Sequence, residues 1–597
     1  MKKIINLISK IKSDIFLRKM LKNATSNPAD LKYIFSLVKE KFEKKAYFFL
    51  EKKFNKKKKS YKLNLNAEKL KTIPKISFSS KTNIPIEDIL VNLAGAEIGF
   101  KEICFEMHYQ DLESNFSLNR FYWMLEVLEQ NSSKDIFDHL FKLIEDWIDK
   151  YPEPNSQDVF ESYSISKRLV SWLFILMLSP ETPETELLEK ISDSVSKQLS
   201  YLLSNLELHN KYTNNHILVN AWCLIICGMI YNDDFIFKTG FELLETFEGK
   251  FFDHGVLLEG SSHYQMILTM HYLEILAVAE LTSRKEVEAH VPSLLKRALP
   301  VCRMLQSKFE SQEIPLFGDI SPDVKSEWSI GYPFADVKSR APWFKIFESV
   351  IKESLQNLIL ADVKKKCEFQ NTWIKLQKNK LELWSIAKSS CASHGHSDNG
   401  SIVLFYGGTP VVIDSGRYDY TNDERSYSER SSLEHNFPSI SGFYFDPPFD
   451  SIFSTIFQCS KFKLEGISED SLIFTVESFD KQLEIKREIL LESDKIIILD
   501  TVLKSGNLEF FPVEYRWCFA YDISFDAFEN EFLINNESEK IFVKTEFPAR
   551  NCRYKIVDSE RVVSYGTSIE ACKLIMKSNV SINSTIRTTF RFQEKVK

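Results

Sequence analysis

Residues 391–436 read CASHGHSDNGSIVLFYGGTPVVIDSGRYDYTNDERSYSERSSLEHN. The run SIVLFYGGTPVVID is two apolar, β-branched segments split by Gly407-Gly408 and Thr409-Pro410, the pattern of a β-hairpin. A hairpin brings its ends together. His394 and His396 before it and Asp414 at its end then share one small volume, with His435 following. Imidazole and carboxylate side chains that converge are metal ligands or proton-transfer groups. Read as a strand, the HGH triplet is expected to send its two rings to opposite faces. On that reading His396, Asp414 and His435 form a metal set with the ligand types of zinc. His394 is left to face a cleft.

Outward from this stretch the chain divides in two. C-terminal to about residue 375, short alternating runs follow one another: WIKLQK, LELWSI, SLIFTVES, QLEIKREILLES, KIIILDTVL, EYRWCFAYDI, KIFVKTEF, RVVSYGT and TTFRFQ. Their period and turn spacing predict an antiparallel β-sandwich. N-terminal to it, from about 82 to 365, apolar residues recur at helical spacing in long segments such as SKDIFDHLFKLIEDWIDKY, SKRLVSWLFILML, HILVNAWCLIICGMIY and YQMILTMHYLEILAVAELT. Breaks at Pro152-Glu153-Pro154, Ser179–Pro183 and Asn232–Asp234 make these helical hairpins. The expected fold is multidomain α + β, an incomplete (α/α) toroid followed by a β-sandwich. The expected boundaries are 1–80 for a basic helical segment and linker, 81–370 for the toroid and 371–597 for the sandwich. A cleft between the last two is the expected ligand site.

Composition narrows the function classes. At 597 residues the chain needs more than one core, and 44% hydrophobic residues are enough to fill them. The formal charge of −7 gives no reason to expect nucleic acid. The ten cysteines include no CxxC pair and read as reduced core residues. The basic N-terminus lacks the continuous apolar core of a signal peptide, so a cytoplasmic protein is expected. Ile4, Ile8, Ile11 and Ile15 lie on one helical face among lysines, a surface that would also suit peripheral contact with an anionic membrane.

Two polar breaks in the helical region carry chemistry. In NLELHNKYTNNHILVNAW, Asn215 and His216 open an apolar helix. An Asn there caps the helix, or the pair projects into a cleft and hydrogen-bonds a carboxylate or sugar hydroxyl. In LLEGSSHYQ, Tyr264 stands in the first turn of the next helix, where a half-buried core tyrosine is the plain alternative. Glu259 is close enough in sequence to orient it. Glu259, His263 and Arg430 complete the set as substrate-contact candidates. A third break, PLFGDISPD, offers Asp319 as an acid that braces the cleft.

Taken together and in order, LNRFYW (118–123), ESYSISKRLVSW (161–172), LELHNKYTNNH (206–216), EGSSHYQ (259–265), PLFGD (315–319), HGHSDNGSIVLFYGGTPVVIDSG (394–416) and RSSLEHN (430–436) resemble the heparinase II/III family of polysaccharide lyases. The resemblance spans roughly residues 100–597 and implies the same toroid-plus-sandwich division. It implies that Asn215 and His216 neutralise a uronate carboxylate, that Tyr264 and His394 are catalytic, and that His396, Asp414 and His435 hold a structural zinc. The implied activity is β-elimination on a uronic-acid-containing, acidic polysaccharide, leaving a 4,5-unsaturated end. A role in surface polysaccharide metabolism is expected. The alternatives are a glycoside hydrolase, with Glu259 and Asp319 as its carboxylates, and a non-catalytic carbohydrate-binding or assembly protein.

Overall fold

The computed structural model describes residues 63–326, 350 and 367–594, apart from 64, 81, 209–213, 310, 312, 371, 389–393, 448–458, 507, 527–530, 536–538 and 549–551. The basic N-terminal helix, with its isoleucine face, lies outside the described residues.

The helical region has an inner and an outer layer. Helices α1 (Leu112–Arg120), α2 (Met124–Gln130) and α3 (Lys134–Lys150) lead into α4 (Ser162–Leu178), α5 (Thr185–Leu202), α6 (His216–Ile230), α7 (Asp234–Phe251), α8 (Ser262–Thr282) and α9 (Val287–Leu305). Every residue of α4 is buried, as are α6 from Ile217 onward and α8 through Ala279. A helix apolar all round has to sit inside, and α4, α6 and α8 pack side by side. Their partners α5 and α7 bury one face only, Leu188, Ile191, Val195, Leu199 and Leu202 on α5 and Ile236, Leu243, Leu244 and Phe247 on α7. The α6–α7 pair is backbone-close: a Cβ at Gly228 would meet Phe237 N at 2.4 Å. Cys223 and Cys227, their sulfurs 3.9 Å apart, are free and buried in α6. No described helix is long and apolar enough to cross a membrane.

Two local expectations fail here. RFYWMLEVLEQ is not one helix, because Phe121 takes a left-handed φ of 60° and separates α1 from α2. Two small hairpins also stand within the helical region. One is β1 (Leu90–Leu93) with β2 (Ala96–Gly99), and the other is β3 (Phe252–Asp253) with β4 (Val256–Leu257). Their strands are too short for periodicity to reveal.

The sandwich begins with β5 (Cys367–Gln370), β6 (Trp373–Lys378) and β7 (Leu381–Ile386). The expected hairpin follows as β8 (Ile402–Tyr406) and β9 (Thr409–Val412), with Gly407 and Gly408 both at positive φ in its two-residue turn. One sheet runs Arg553–Ser564, Thr567–Ser581, Phe510–Phe519, β9, β8, β7, β6, β5. The other runs Lys461–Ile467, Ser471–Glu477, Leu483–Leu491, Lys495–Ser505, Thr585–Glu594, Glu539–Glu546, Glu531–Asn535, Ile523–Asp526. Both are antiparallel throughout, and their inner faces share one core that includes Leu383, Leu404, Ile485, Ile498, Trp517 and Phe590. The 15-residue strand Thr567–Ser581 is absent from the sequence reading. Its middle, EACKLIMK, is made largely of residues that favour helix, and only from Cys572 onward does burial alternate along it.

The outer face of β7 and β8 is not solvent. Trp384, Ile386, Val403 and Phe405 pack on Met266, Val301, Met304, Leu316 and Phe317 of the helical region. Strands covered on both faces read as unbroken apolar runs, which is how IVLFY reads. The two regions are therefore joined by a core. The tip of the Arg553–Ser581 hairpin adds a second contact, Gly566 packing on Gly95 so closely that a Cβ at Gly95 would lie 2.8 Å from Gly566 Cα.

Inside the sandwich, Arg487 forms a two-pronged pair with Asp500 (2.7 and 2.9 Å) and donates to the carbonyls of Gly400 (3.0 Å) and Asn436 (2.8 Å). It thus ties the start of the hairpin to the end of the 391–436 stretch. Arg487→Ala leaves the Asp500 carboxylate buried without its cation, and we expect a loss of about 3–5 kcal/mol, read as a lowered urea midpoint.

Candidate active site

The inner helices begin at one place. Glu161 caps α4, accepting from the backbone N–H groups of Tyr163 and Ser164, and Ser261 caps α8. Asn215 is the cap position of α6 but makes no side-chain cap bond. The His216 ring lies 4.5 Å from that of Tyr163, and Asn215 Nδ2 donates to Glu259 Oε2 at 2.6 Å. Three helix N-termini thus converge, and each carries a partial positive charge that favours an anion.

The capping alternative for Asn215 is therefore not what the structure shows. Glu259, expected to orient Tyr264, orients the Asn215 amide instead. A carboxylate only accepts, so the amide nitrogen must face it, leaving the second N–H of that nitrogen for a ligand. Asn215 Oδ1 is buried without a hydrogen-bond partner. His216 Nδ1 lies 3.0 Å from Glu207 Oε2 and 3.9 Å from Glu161 Oε1. Burial works against its charged form, but the two carboxylates outweigh burial and raise its pKa to about 9.

From the sandwich side, His394 stacks flat on Tyr264, ring centroids 3.9 Å apart and planes 12° apart. The Tyr264 hydroxyl lies 3.2 Å from that of Tyr420. Burial pushes the Tyr264 phenol well above its ordinary range, so it holds its proton at neutral pH. Tyr420 is a residue that the sequence reading missed. It sits in GRYDY shortly after Asp414. Its hydroxyl donates to the Ile320 carbonyl at 3.2 Å, and its backbone N–H donates to the Tyr565 hydroxyl at 2.9 Å. The signal available was only an aromatic near a predicted ligand.

Asp319 is the centre of the arrangement. Its carboxylate receives His394 Nδ1 at 3.1 Å, His396 Nε2 at 2.9 Å and Arg417 at 3.2 Å, and its backbone N–H donates to the His394 carbonyl at 3.0 Å. Burial alone would raise its pKa. The Arg417 guanidinium and the two imidazoles hold it well below the usual carboxylate range instead. Gly318 before it has φ 70°, and a Cβ there would meet the His394 carbonyl oxygen at 2.6 Å. Since Asp319 accepts from His394 Nδ1, the neutral ring carries its proton on Nδ1 and its lone pair on Nε2.

The HGH triplet behaves differently from expectation. Residues two apart in a strand share a face, and His394–His396 lies in a loop, not a strand. Both rings turn to Asp319, and the division of labour comes from which nitrogen each ring spends there. His396 spends Nε2 on Asp319, and its Nδ1 is the nitrogen left for a metal. His435 gives Nδ1 to Asp414 Oδ2 at 2.8 Å and keeps Nε2, which is buried without a partner. His396, Asp414 and His435 offer ligand atoms within 4.8 Å of one another, so these three can hold a metal ion. An orphaned ring nitrogen in a dry setting, at His435, is what such an ion would satisfy. Asn436 locks the site to the hairpin, donating to the carbonyls of Ile402 (2.9 Å) and Ile413 (2.6 Å).

Glu161, Glu207 and His216 also gather closely, but as an ion-paired group and not as metal ligands, because His216 Nδ1 is taken by both Glu207 oxygens. Glu161 there is already engaged by two backbone N–H groups and the Ser164 hydroxyl (2.7 Å).

Two substrate-contact candidates are corrected. His263 is fully buried, accepts the Ser321 N–H at Nδ1 (3.0 Å), and is driven by burial to a pKa of about 3. It pins the loop after Asp319. Arg430 is fully buried and donates to the Gly395 carbonyl at 3.5 Å, and its own carbonyl accepts the Ser397 N–H. It supports the His394–His396 loop from behind.

Asp319→Ala takes the carboxylate away from the buried Arg417 and releases two imidazoles. A loss of about 3–5 kcal/mol is expected, measured as a lowered denaturant midpoint. Glu259→Gln, which keeps the shape, should cost much less.

Known proteins share this fold. Residues 373–589 match the family model described as heparinase II/III-like, C-terminal. A search of the curated proteins gives no match. Among solved structures, a heparinase III is similar at 16% identity over 83% of this chain and 80% of that chain, with a TM-score of 0.63. The heparan sulfate lyase HepC from Pedobacter heparinus is similar at 15% identity over 96% of this chain and 92% of that chain, with a TM-score of 0.53. Likeness at this level establishes the fold. Residues 373–589 thus match the heparinase II/III-like C-terminal model and are joined to a helical region in a chain with the fold of heparinase III.

Proposed function

We propose that the protein is a polysaccharide lyase that cleaves a uronic-acid-containing polysaccharide by β-elimination, leaving a 4,5-unsaturated uronate. The observation that carries this reading is that Asn215 and His216 open α6 against Glu259, just before α8, while Tyr264 in the first turn of α8 stacks on His394. The similar solved structures bear the names heparinase III and heparan sulfate lyase. A cytoplasmic place in surface polysaccharide metabolism is part of the proposal.

The chemical problem is the C5 proton of the uronate. It lies α to a carboxylate whose charge makes the carbanion costly. The Asn215 N–H and the charged His216 ring, at three helix N-termini, neutralise that carboxylate and stabilise the enolate as it forms. His394, with its lone pair on Nε2 and its Nδ1–H braced by Asp319, takes the C5 proton. Tyr264, a phenol kept protonated by burial, gives its proton to the departing O4. Tyr420 beside it can turn its hydroxyl proton from the Ile320 carbonyl to the phenolate left behind. The C4–O4 electron pair leaves with the new hydroxyl and the C4–C5 double bond forms; before the next cycle His394 gives its proton to solvent and the Tyr264 phenolate takes one up.

The metal belongs to the scaffold in this reading. Zinc suits two imidazoles and one carboxylate. Held by His396, Asp414 and His435, it would tie the loop carrying His394 to the end of the hairpin. The hydrolase alternative needs a carboxylic acid to protonate the leaving group. Asp319, held ionised by three cationic or donor groups, is poorly suited to that, and Glu259 is committed to Asn215.

With uronate polysaccharides as substrates, absorbance at about 235 nm should rise as the unsaturated product forms. Asn215→Ala should lower kcat by about 10²–10³, and Tyr264→Phe should abolish turnover while leaving substrate binding in place. A Tyr264→Phe enzyme as fast as the parent would remove the mechanism. For the metal, elemental analysis should find about one zinc per chain, and His435→Ala should lose it together with thermal stability. Protein free of metal with an unchanged melting temperature in that variant would count against zinc.

A further inference from the structure

Glu207 has no place in the steps above, yet it contacts His216, a residue that does. Both of its carboxylate oxygens face His216 Nδ1, at 3.0 and 3.2 Å. It is held there by its backbone N–H, which donates to Asn220 Oδ1 on the second turn of α6 (3.3 Å). Asn220 is itself buried and fixed to α4 through Ser166 (3.1 Å). Glu207 is thus anchored to the same two helices that position His216.

We infer that Glu207 is the positioning residue that keeps His216 an imidazolium at neutral pH, so that the carboxylate of the substrate meets a full positive charge and not only a neutral N–H donor. The inference rests on the lyase reading for what His216 does to substrate, but not for the charge that His216 carries.

The groups around the ring support this. Glu161, capping α4, lies 3.9 Å from Nδ1. The Tyr163 ring, from the first turn of α4, packs against the imidazole at 4.5 Å. The nearby cation, Arg120 at the end of α1, opposes protonation, but it is matched by Glu113 at 2.9 Å and Asp323 at 3.0 Å. Two carboxylates therefore act on His216 directly, while the one opposing guanidinium is compensated by two of its own. Glu161 is largely occupied by its cap bonds and stands further off, which makes Glu207 the dominant partner. With Nδ1–H directed to Glu207, Nε2–H is the donor left for the substrate. The ring is about 29% exposed, enough for a ligand to reach it.

A His216 pKa raised to about 9 means that the charged form is present across neutral pH and is lost as the pH climbs through that value. Removing the Glu207 charge moves that loss down toward the ordinary imidazole value of about 6.5.

The test is Glu207→Gln, which keeps a hydrogen-bond acceptor and removes the charge, with Glu207→Asp as the conservative variant. In protein labelled at the histidine ring carbon, the His216 signal, assigned by its absence in His216→Gln, should titrate near the raised value in the parent. It should shift down by about one unit or more in Glu207→Gln and recover in part in Glu207→Asp. In turnover, the alkaline limb of kcat/KM should move down by the same amount, with KM rising more than kcat falls, and the loss should shrink as the pH is lowered. A role in packing alone would leave both titrations unmoved. A His216 that titrates at its ordinary value in the parent, or an unshifted signal in Glu207→Gln, overturns the inference. Absence of elimination with every polymer would strike the lyase reading instead, because the ring titration needs no substrate.

Discussion

The site hangs on the buried carboxylate of Asp319. It comes from the helical region, on the loop after α9, and it is gripped by three groups from the sandwich: His394, His396 and Arg417. Breaking a buried charged contact of this kind costs several kcal/mol because the partners stay buried. Its effect is geometric as well as energetic. One carboxylate sets the tautomer of His394, the ring orientation of His396, and through His396 the position of the metal set. The apolar contact between β7–β8 and α8–α9 brings the two regions together without direction. Asp319 supplies the direction.

Much of the architecture was legible in the sequence, for physical reasons. The change of period from helical to alternating near residue 375 reflects a real change from buried helices to a two-layer sheet. The Gly407-Gly408 turn could be named because only glycine takes both positive φ values cheaply. The inner helices announced themselves as apolar runs without a polar face. What stayed hidden was structure too short or too mixed to carry a period, such as the β1–β2 hairpin, the break at Phe121 and the strand Thr567–Ser581.

Sequence picked out residues that the fold brings into contact, and not the wiring among them. Asn215, His216, Tyr264, His394, His396, Asp414 and His435 were visible as chemistry-bearing residues because each lies beside a polar break at the end of an apolar element. Their partners could not be paired from sequence. Glu259 orients Asn215, 44 residues away, and not the nearer Tyr264. Asp319 looked like one loop acid among many, and its three partners lie 75 to 98 residues further on. His263 and Arg430 looked polar enough for a cleft, yet each is buried and bonded to backbone groups. Chemical type suggests which residues can act. Only the fold says which hydrogen bond each has already used.

Used and unspent hydrogen bonds also explain how one region can hold so many carboxylates and, on the lyase reading, still take an anion. Glu161 is occupied by backbone N–H groups, Glu259 by an amide, Asp319 by two imidazoles and a guanidinium, and Glu113 and Asp323 by Arg120. None of these acids carries its charge without a donor beside it. On the lyase reading, what would face the substrate is the other end of each pair: the remaining Asn215 N–H, the outer nitrogen of His216 and the first turns of three helices. The acids act as fixed anchors that hold donors in place before a ligand arrives. Donors already aimed need no reorganisation when charge develops on the substrate, which is the condition under which such contacts speed a reaction and do not merely bind its reactant.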